Sequence, residues 1–224
     1  PVTALFGLLI IPDNQKTEGT SFPKLSDLPL ILKDNRPLVR TLLIEFLCSS
    51  ASSISAVTYI YLAKYVFDLE DISSRILFLY FFAGLLVMPI WMKVSYLIGK
   101  SRTLLISTIL CSLTLATYLF IDTNDALSTL ITLTIFYGIG YGAPFTLTRA
   151  LMADIVDADE LRSDKKRPGL FYSILTTFSK VGAAIAVGLV YTYLEFKGFK
   201  PDQIASDKIK EILLFVFAFI PMIL

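Results

Sequence analysis

Histidine is absent from this sequence, cysteine occurs twice, and charged residues make up only 17% of its 224 positions. Without histidine there are no imidazole relays and none of the usual zinc sites. Cys48 and Cys111, each inside an apolar block, offer neither a disulfide framework nor a metal-ligand spacing. So few charges cannot solvate the surface of a soluble domain of this size. The net charge is +1 and no basic run is dense enough to track a phosphate backbone, which removes nucleic acid as a partner. There is no Gly-x-Ser-x-Gly elbow and no carboxylate pair placed mid-span for acid–base work, so no enzyme is expected.

What fills the sequence instead is hydrophobic: 55% of residues, with a mean hydropathy of +0.69. The apolar residues fall into blocks of about 20, the length a helix needs to cross a bilayer at 1.5 Å per residue. Barrel strands alternate apolar and polar side chains. Runs such as Thr103 to Ile121 are apolar on every side, so the fold class is all-α, a polytopic transmembrane helical bundle.

Five complete spans are expected: Thr41 to Phe67, Ile76 to Met92, Thr103 to Ile121, Leu127 to Met152 and Gly169 to Leu194. Two runs are too short to span, Val2 to Ile11 and Ile212 to Leu224, and no initiating Met or signal peptide precedes the first. The expectation is a piece of a longer protein, cut within membrane helices at both ends. Pro12 to Arg40, polar and holding four prolines, reads as a linker between bundles. The bundle proper is then 41–224.

Lys and Arg sort by side. Thirteen fall in the linker, around Gly99 and from Arg149 to Arg167, against five in the alternate loops. The linker and loops 93–102 and 153–168 are therefore expected in the cytoplasm.

Charges inside spans are costly, about 2.5–3.5 kcal/mol at a helix centre, and mark candidate sites. Lys180 lies 11 residues into its span, about 16 Å deep. Thr177, Thr176, Ser173 and Tyr172 share its face and make a polar stripe suited to a water-filled cavity, where the ammonium could meet a carboxylate or sense a cation. A structural ion pair is the alternative. Gly182 to Gly188 has the spacing of close helix packing.

A second stripe runs from Glu45 through Ser49, Ser52, Ser53, Ala56 and Tyr59, able to line a cavity or to pack helices. Three glycines and a proline in Tyr137 to Phe145 weaken a helix at mid-membrane, as gating elements do, although such kinks also occur without that role. Tyr141 and Phe145, one turn apart, could stack on a sugar or simply pack. Arg149, Asp154, Asp157 and Glu45 form the candidate cytoplasmic charge network. The acids at 154–160 interleave with Arg162, Lys165, Lys166 and Arg167, which favours salt bridges over a metal site.

From Met152-Ala-Asp-Ile-Val-Asp-Ala-Asp-Glu-Leu-Arg162, through Lys165-Lys-Arg-Pro-Gly-Leu-Phe-Tyr-Ser173, to Lys180-Val-Gly-Ala-Ala, the chain resembles the glycoside-pentoside-hexuronide:cation symporters of the major facilitator superfamily. Asn35-Arg-Pro37, Pro89-Ile-Trp91, Gly99-Lys100 and Arg102 support the likeness. The resemblance implies the second six-helix half of a twelve-helix transporter, from the end of helix 6 into helix 12, in a bacterial inner membrane. It implies sugar entry coupled to Na⁺, H⁺ or Li⁺ by alternating access against an amino-terminal bundle that carries the main cation ligands, with no resident cofactor. It places Lys180 in the cation and sugar region with Thr176 and Tyr172 beside it. Phe145 stands where sugar-carrying members have a stacking tryptophan, and Arg149 where they are apolar, so substrate specificity is not transferred. The alternatives are a relative moving another solute, such as a lysolipid, and a membrane scaffold or sensor.

Overall fold

The computed structural model describes residue 32 and residues 35–120, 126–200 and 206–224. The expected partial span 2–11 and linker residues 12–31, 33 and 34 lie outside them.

The helices run antiparallel: α1 (Arg36–Tyr65), α2 (Glu70–Ile98), α3 (Lys100–Tyr118), α4 (Ala126–Ser163), α5 (Pro168–Phe196), and a last helix formed by α6 (Asp207–Leu214), a π-helical turn (Phe215–Phe219) and α7 (Ile220–Ile223). Among the described residues four segments are long and apolar enough to cross a membrane: Arg36–Tyr65, Asp71–Ile98, Leu127–Ser163 and Pro168–Phe196. The expected span from Thr103 corresponds to α3, which falls outside that group because seven Ser and Thr dilute its apolarity. Six of those hydroxyls bond the backbone of the preceding turn, Thr103 donating to Gly99 O at 3.0 Å and Thr114 to Leu110 O at 2.8 Å, as Ser/Thr do in apolar helices.

Three boundaries differ from the hydropathy reading. Helix α1 begins at Arg36, inside the expected linker, because Asn35 caps it through Oδ1 to Leu38 N–H (3.1 Å) and Pro37 suits the first turn. The expected loop 93–102 is helical except at Gly99, whose φ of 91° allows the chain to turn directly from α2 into α3. The expected loop 153–168 is mostly helix. Charge ends a hydrophobic run but does not end a helix, and α4 continues until the approach to Pro168. At 38 residues it is about 57 Å long, longer than a bilayer's apolar core of about 30 Å, so its charged end projects.

Helix α2 packs along α4, α1 along α5, and α3 on a further side of α4. The glycines of α4 make the first contact possible. A Cβ on Gly138 would collide with Tyr80 O, and one on Gly142 would lie 2.6 Å from Gly84 O. The run read as a weak point is thus an uninterrupted helix whose missing side chains admit a neighbour's backbone. Close to Pro144, which lies inside α4, the indole of Trp91 donates to Ile139 O at 2.8 Å.

Buried clusters occupy both ends of the bundle. Leu38, Leu42, Met152, Phe171 and Leu175 pack at the end carrying Asn35 and Gly99, and Leu62, Tyr80, Tyr118, Leu130 and Phe217 at the other. Large apolar side chains such as Phe78, Leu85, Leu113 and Leu189 face outward, each more than half exposed, as lipid contact requires.

Candidate functional site

Helix α5 places Tyr172, Ser173, Thr176, Thr177 and Lys180 on an exposed face. Thr176 donates to Tyr172 O, Thr177 to Ser173 O and Ser173 to Leu170 O, each at 2.8 Å. With their protons committed to the backbone, these hydroxyls turn lone pairs outward, and the stripe presents acceptors. Lys180 adds three donors and a positive charge about 12 Å further along the helix from Tyr172. Among the described residues no carboxylate pairs with it.

Helix α4 contributes the neighbouring part. Tyr172 donates to Arg149 O at 3.3 Å, joining the two helices. The Arg149 guanidinium lies 4.1 Å from the centroid of the Phe145 ring and donates to Phe145 O at 2.7 Å. Phe145 is 50% exposed, so an aromatic ring backed by a cation borders the acceptor stripe. Tyr141, one turn away, points elsewhere: its ring stacks on Tyr80 at 5.6 Å inside the bundle.

The second stripe divides. Ser49 donates to Ser179 O at 2.7 Å and accepts from the Ser179 hydroxyl at 3.2 Å, a hydrogen-bonded contact between α1 and α5. Ser53 is half-buried. Glu45 is 7% exposed and has no ion pair among the described residues.

The four residues expected as one charge network are not brought together. Five positions on a helix turn Arg149 and Asp154 well apart, about 140°, so Asp154 instead meets Lys100 of α3 at 2.6 Å. Lys100 also donates to Ala150 O at 3.1 Å. Asp157 is exposed and Glu45 lies within the bundle. The charges that do pair are Asp159 with Arg167, a bidentate contact at 2.7 and 2.9 Å, and Glu160 with Lys166 at 3.4 Å. Among the described residues no three His, Cys, Asp or Glu side chains form a cluster fit for a metal.

The four long apolar helices among the described residues define an integral membrane protein. Residues 9–224 match the family model described as MFS/sugar transport protein, and the chain belongs to that family. Over 70 residues it is 40% identical to a protein of Synechocystis sp. named an uncharacterized symporter. That stretch is 31% of this chain and 13% of the relative. These findings agree with the resemblance carried by the 152–184 motifs.

Proposed function

We propose that this chain is the second six-helix bundle of a cation-coupled symporter that moves a glycoside or related carbohydrate by alternating access against an amino-terminal bundle. The single observation that carries the reading is the exposed α5 face, with Lys180 above a ladder of outward lone pairs and the Phe145–Arg149 pair beside it. Sugars offer what such a surface recognises: hydroxyl protons for the acceptors and an apolar face for the ring. An ammonium desolvated there would be destabilised unless an anion on the facing bundle or the solute compensates it. That makes its partner dependent on which conformer is populated, which is the requirement for coupling. The end carrying Asn35, Gly99 and Arg167 lies in the cytoplasm, and the membrane is the bacterial inner membrane.

A second exposed cation, Arg149, which Tyr172 joins to the α5 face, favours a second reading of the solute as an acidic carbohydrate. The test is uptake of labelled neutral and acidic glycosides by the full-length protein in sealed vesicles, with imposed Na⁺ or H⁺ gradients and with Lys180→Ala alongside. Gradient-driven accumulation lost in the variant supports coupled transport through Lys180. Unchanged accumulation in the variant reduces Lys180 to a structural charge. If no glycoside accumulates while the protein is folded and inserted, the carbohydrate reading fails and lipid-like solutes come next.

A further inference from the structure

A cavity of about 1000 Å³ opens at the end of the bundle that carries Asn35, where the first turns of α1 and α3 meet the last turns of α4 and its connection to α5. Its wall changes character with depth. Ile44, Leu151 and Ile155 form the apolar part, and Arg40, Arg162, Lys165 and Arg167 lie beyond them. The apolar runs of α1 and α4 stop at this level, at Thr41 and Met152. The cavity therefore sits where a bilayer's hydrocarbon gives way to its headgroups.

The charges in the wall do not cancel. Of its two acids, Asp154 is taken by Lys100 at 2.6 Å and Asp159 by Arg167 in the bidentate contact. Arg40, Arg162 and Lys165 are exposed, and among the described residues no carboxylate pairs with any of them. Three cations thus border one space with no negative charge left to balance them, and an anion entering it lowers their mutual repulsion. Uncharged donors add to the wall. Thr41 is 5% exposed, yet its hydroxyl makes no hydrogen bond among the described residues and is not sealed from the cavity it lines. Asn35 uses Oδ1 to accept from Leu38 N–H, which leaves its amide protons for a ligand.

Positive charge and donors together select an anion with several acceptor oxygens, and the guanidinium forks of Arg40 and Arg162 match those of a phosphate. The apolar part of the wall offers nothing to a fully hydrated ion and suits an amphiphile. Leu43 and Leu47 follow Arg40 on the same face of α1, 52% and 36% exposed, and give an acyl chain apolar surface leading away from the cavity.

We propose that this cavity binds the phosphate headgroup of an anionic phospholipid, held by Arg40, Arg162 and Lys165 with Thr41 as a neutral donor. The site goes beyond the transport reading and depends on neither the solute nor the coupling ion.

The experiment is native mass spectrometry of the full-length protein released from mixed micelles holding equal amounts of phosphatidylglycerol and phosphatidylcholine. Retained lipid is compared between wild type, the triple variant R40Q/R162Q/K165Q, and K197Q/K200Q/K208Q, which removes the same charge from exposed lysines at the other end. Wild type should retain phosphatidylglycerol in preference. Each glutamine of the first set should weaken that retention about 5-fold, and the second set should leave it unchanged. The three single variants of the first set give the same reading if the triple variant does not fold. Equal retention of the two lipids by wild type overturns the site. So does an equal loss in both triple variants, which would make the preference an effect of net charge alone. Glycerol phosphate that displaces phosphatidylglycerol at equal concentration would give the cavity to a water-soluble anion and overturn the lipid assignment.

Discussion

At the residue scale the α5 face is defined by where its hydroxyl protons go. Thr176 and Thr177 bond their own helix, so their outward atoms accept and cannot donate without breaking those bonds. Replacing Thr176 by Val keeps the shape and deletes the lone pairs. Transport KM in the full-length protein should then rise about 3-fold with little change in kcat, the mark of lost ground-state binding. An unaltered KM would mean that the stripe faces lipid or protein instead of solute. The Asp159–Arg167 pair makes a separate case. Both side chains are largely sheltered, 12% and 15% exposed, and the contact is bidentate where α4 ends and α5 begins. Asp159→Asn should lower stability by about 2 kcal/mol, read as a lowered melting temperature in detergent. Arg167→Ala in the same background should cost less than it does alone.

At the element scale the glycines of α4 act through their neighbours. Gly138→Ala would drive a methyl into the α2 backbone, where no flexible side chain can yield, and should destabilise by about 1–3 kcal/mol. Gly188→Ala on α5 meets nothing within 4 Å and should be neutral or stabilising by up to about 1 kcal/mol from helix propensity alone. Thermal melts of the two variants side by side measure the contrast, and equal effects would refute the close α2–α4 contact.

The same helices show what the sequence made legible and why it stopped where it did. The all-α class, the order of the spans and the exposed α5 stripe follow from apolar block length and 3.6-residue periodicity, which are properties of a helix by itself. The continuation of α4 beyond Met152 does not follow from hydropathy, because a helix is ended by glycine, proline and capping groups and not by charge. Which helix a glycine serves is likewise a pairwise property, so Tyr137 to Phe145 read as a weakened helix where Gly138 and Gly142 are closely packed on α2. Tyr80 and Tyr118, unremarkable in apolar runs, become members of a cavity wall only through α1, α4 and the last helix.

For the whole molecule, the arrangement of charge makes a claim about sidedness. Lys93, Lys100, Arg102, Arg162, Lys165, Lys166 and Arg167 gather at the end where α2 stops and α3 and α5 start, while Arg75 and Lys197 lie at the other. Since α4 outruns the bilayer's apolar thickness, its charged last turns, including exposed Asp157, stand in water on the basic side. Retention of positive loops in the cytoplasm then predicts that a single cysteine at Asp157, in a cysteine-free full-length background, is shielded from a membrane-impermeant maleimide applied to intact cells and labelled after permeabilisation. A cysteine at exposed Lys197 should react in intact cells. The reverse pattern would invert the bundle and turn the Lys180 face toward a pathway of opposite polarity. Labelling at both positions in intact cells would mean that the two ends share one side, which antiparallel helices of this length do not permit.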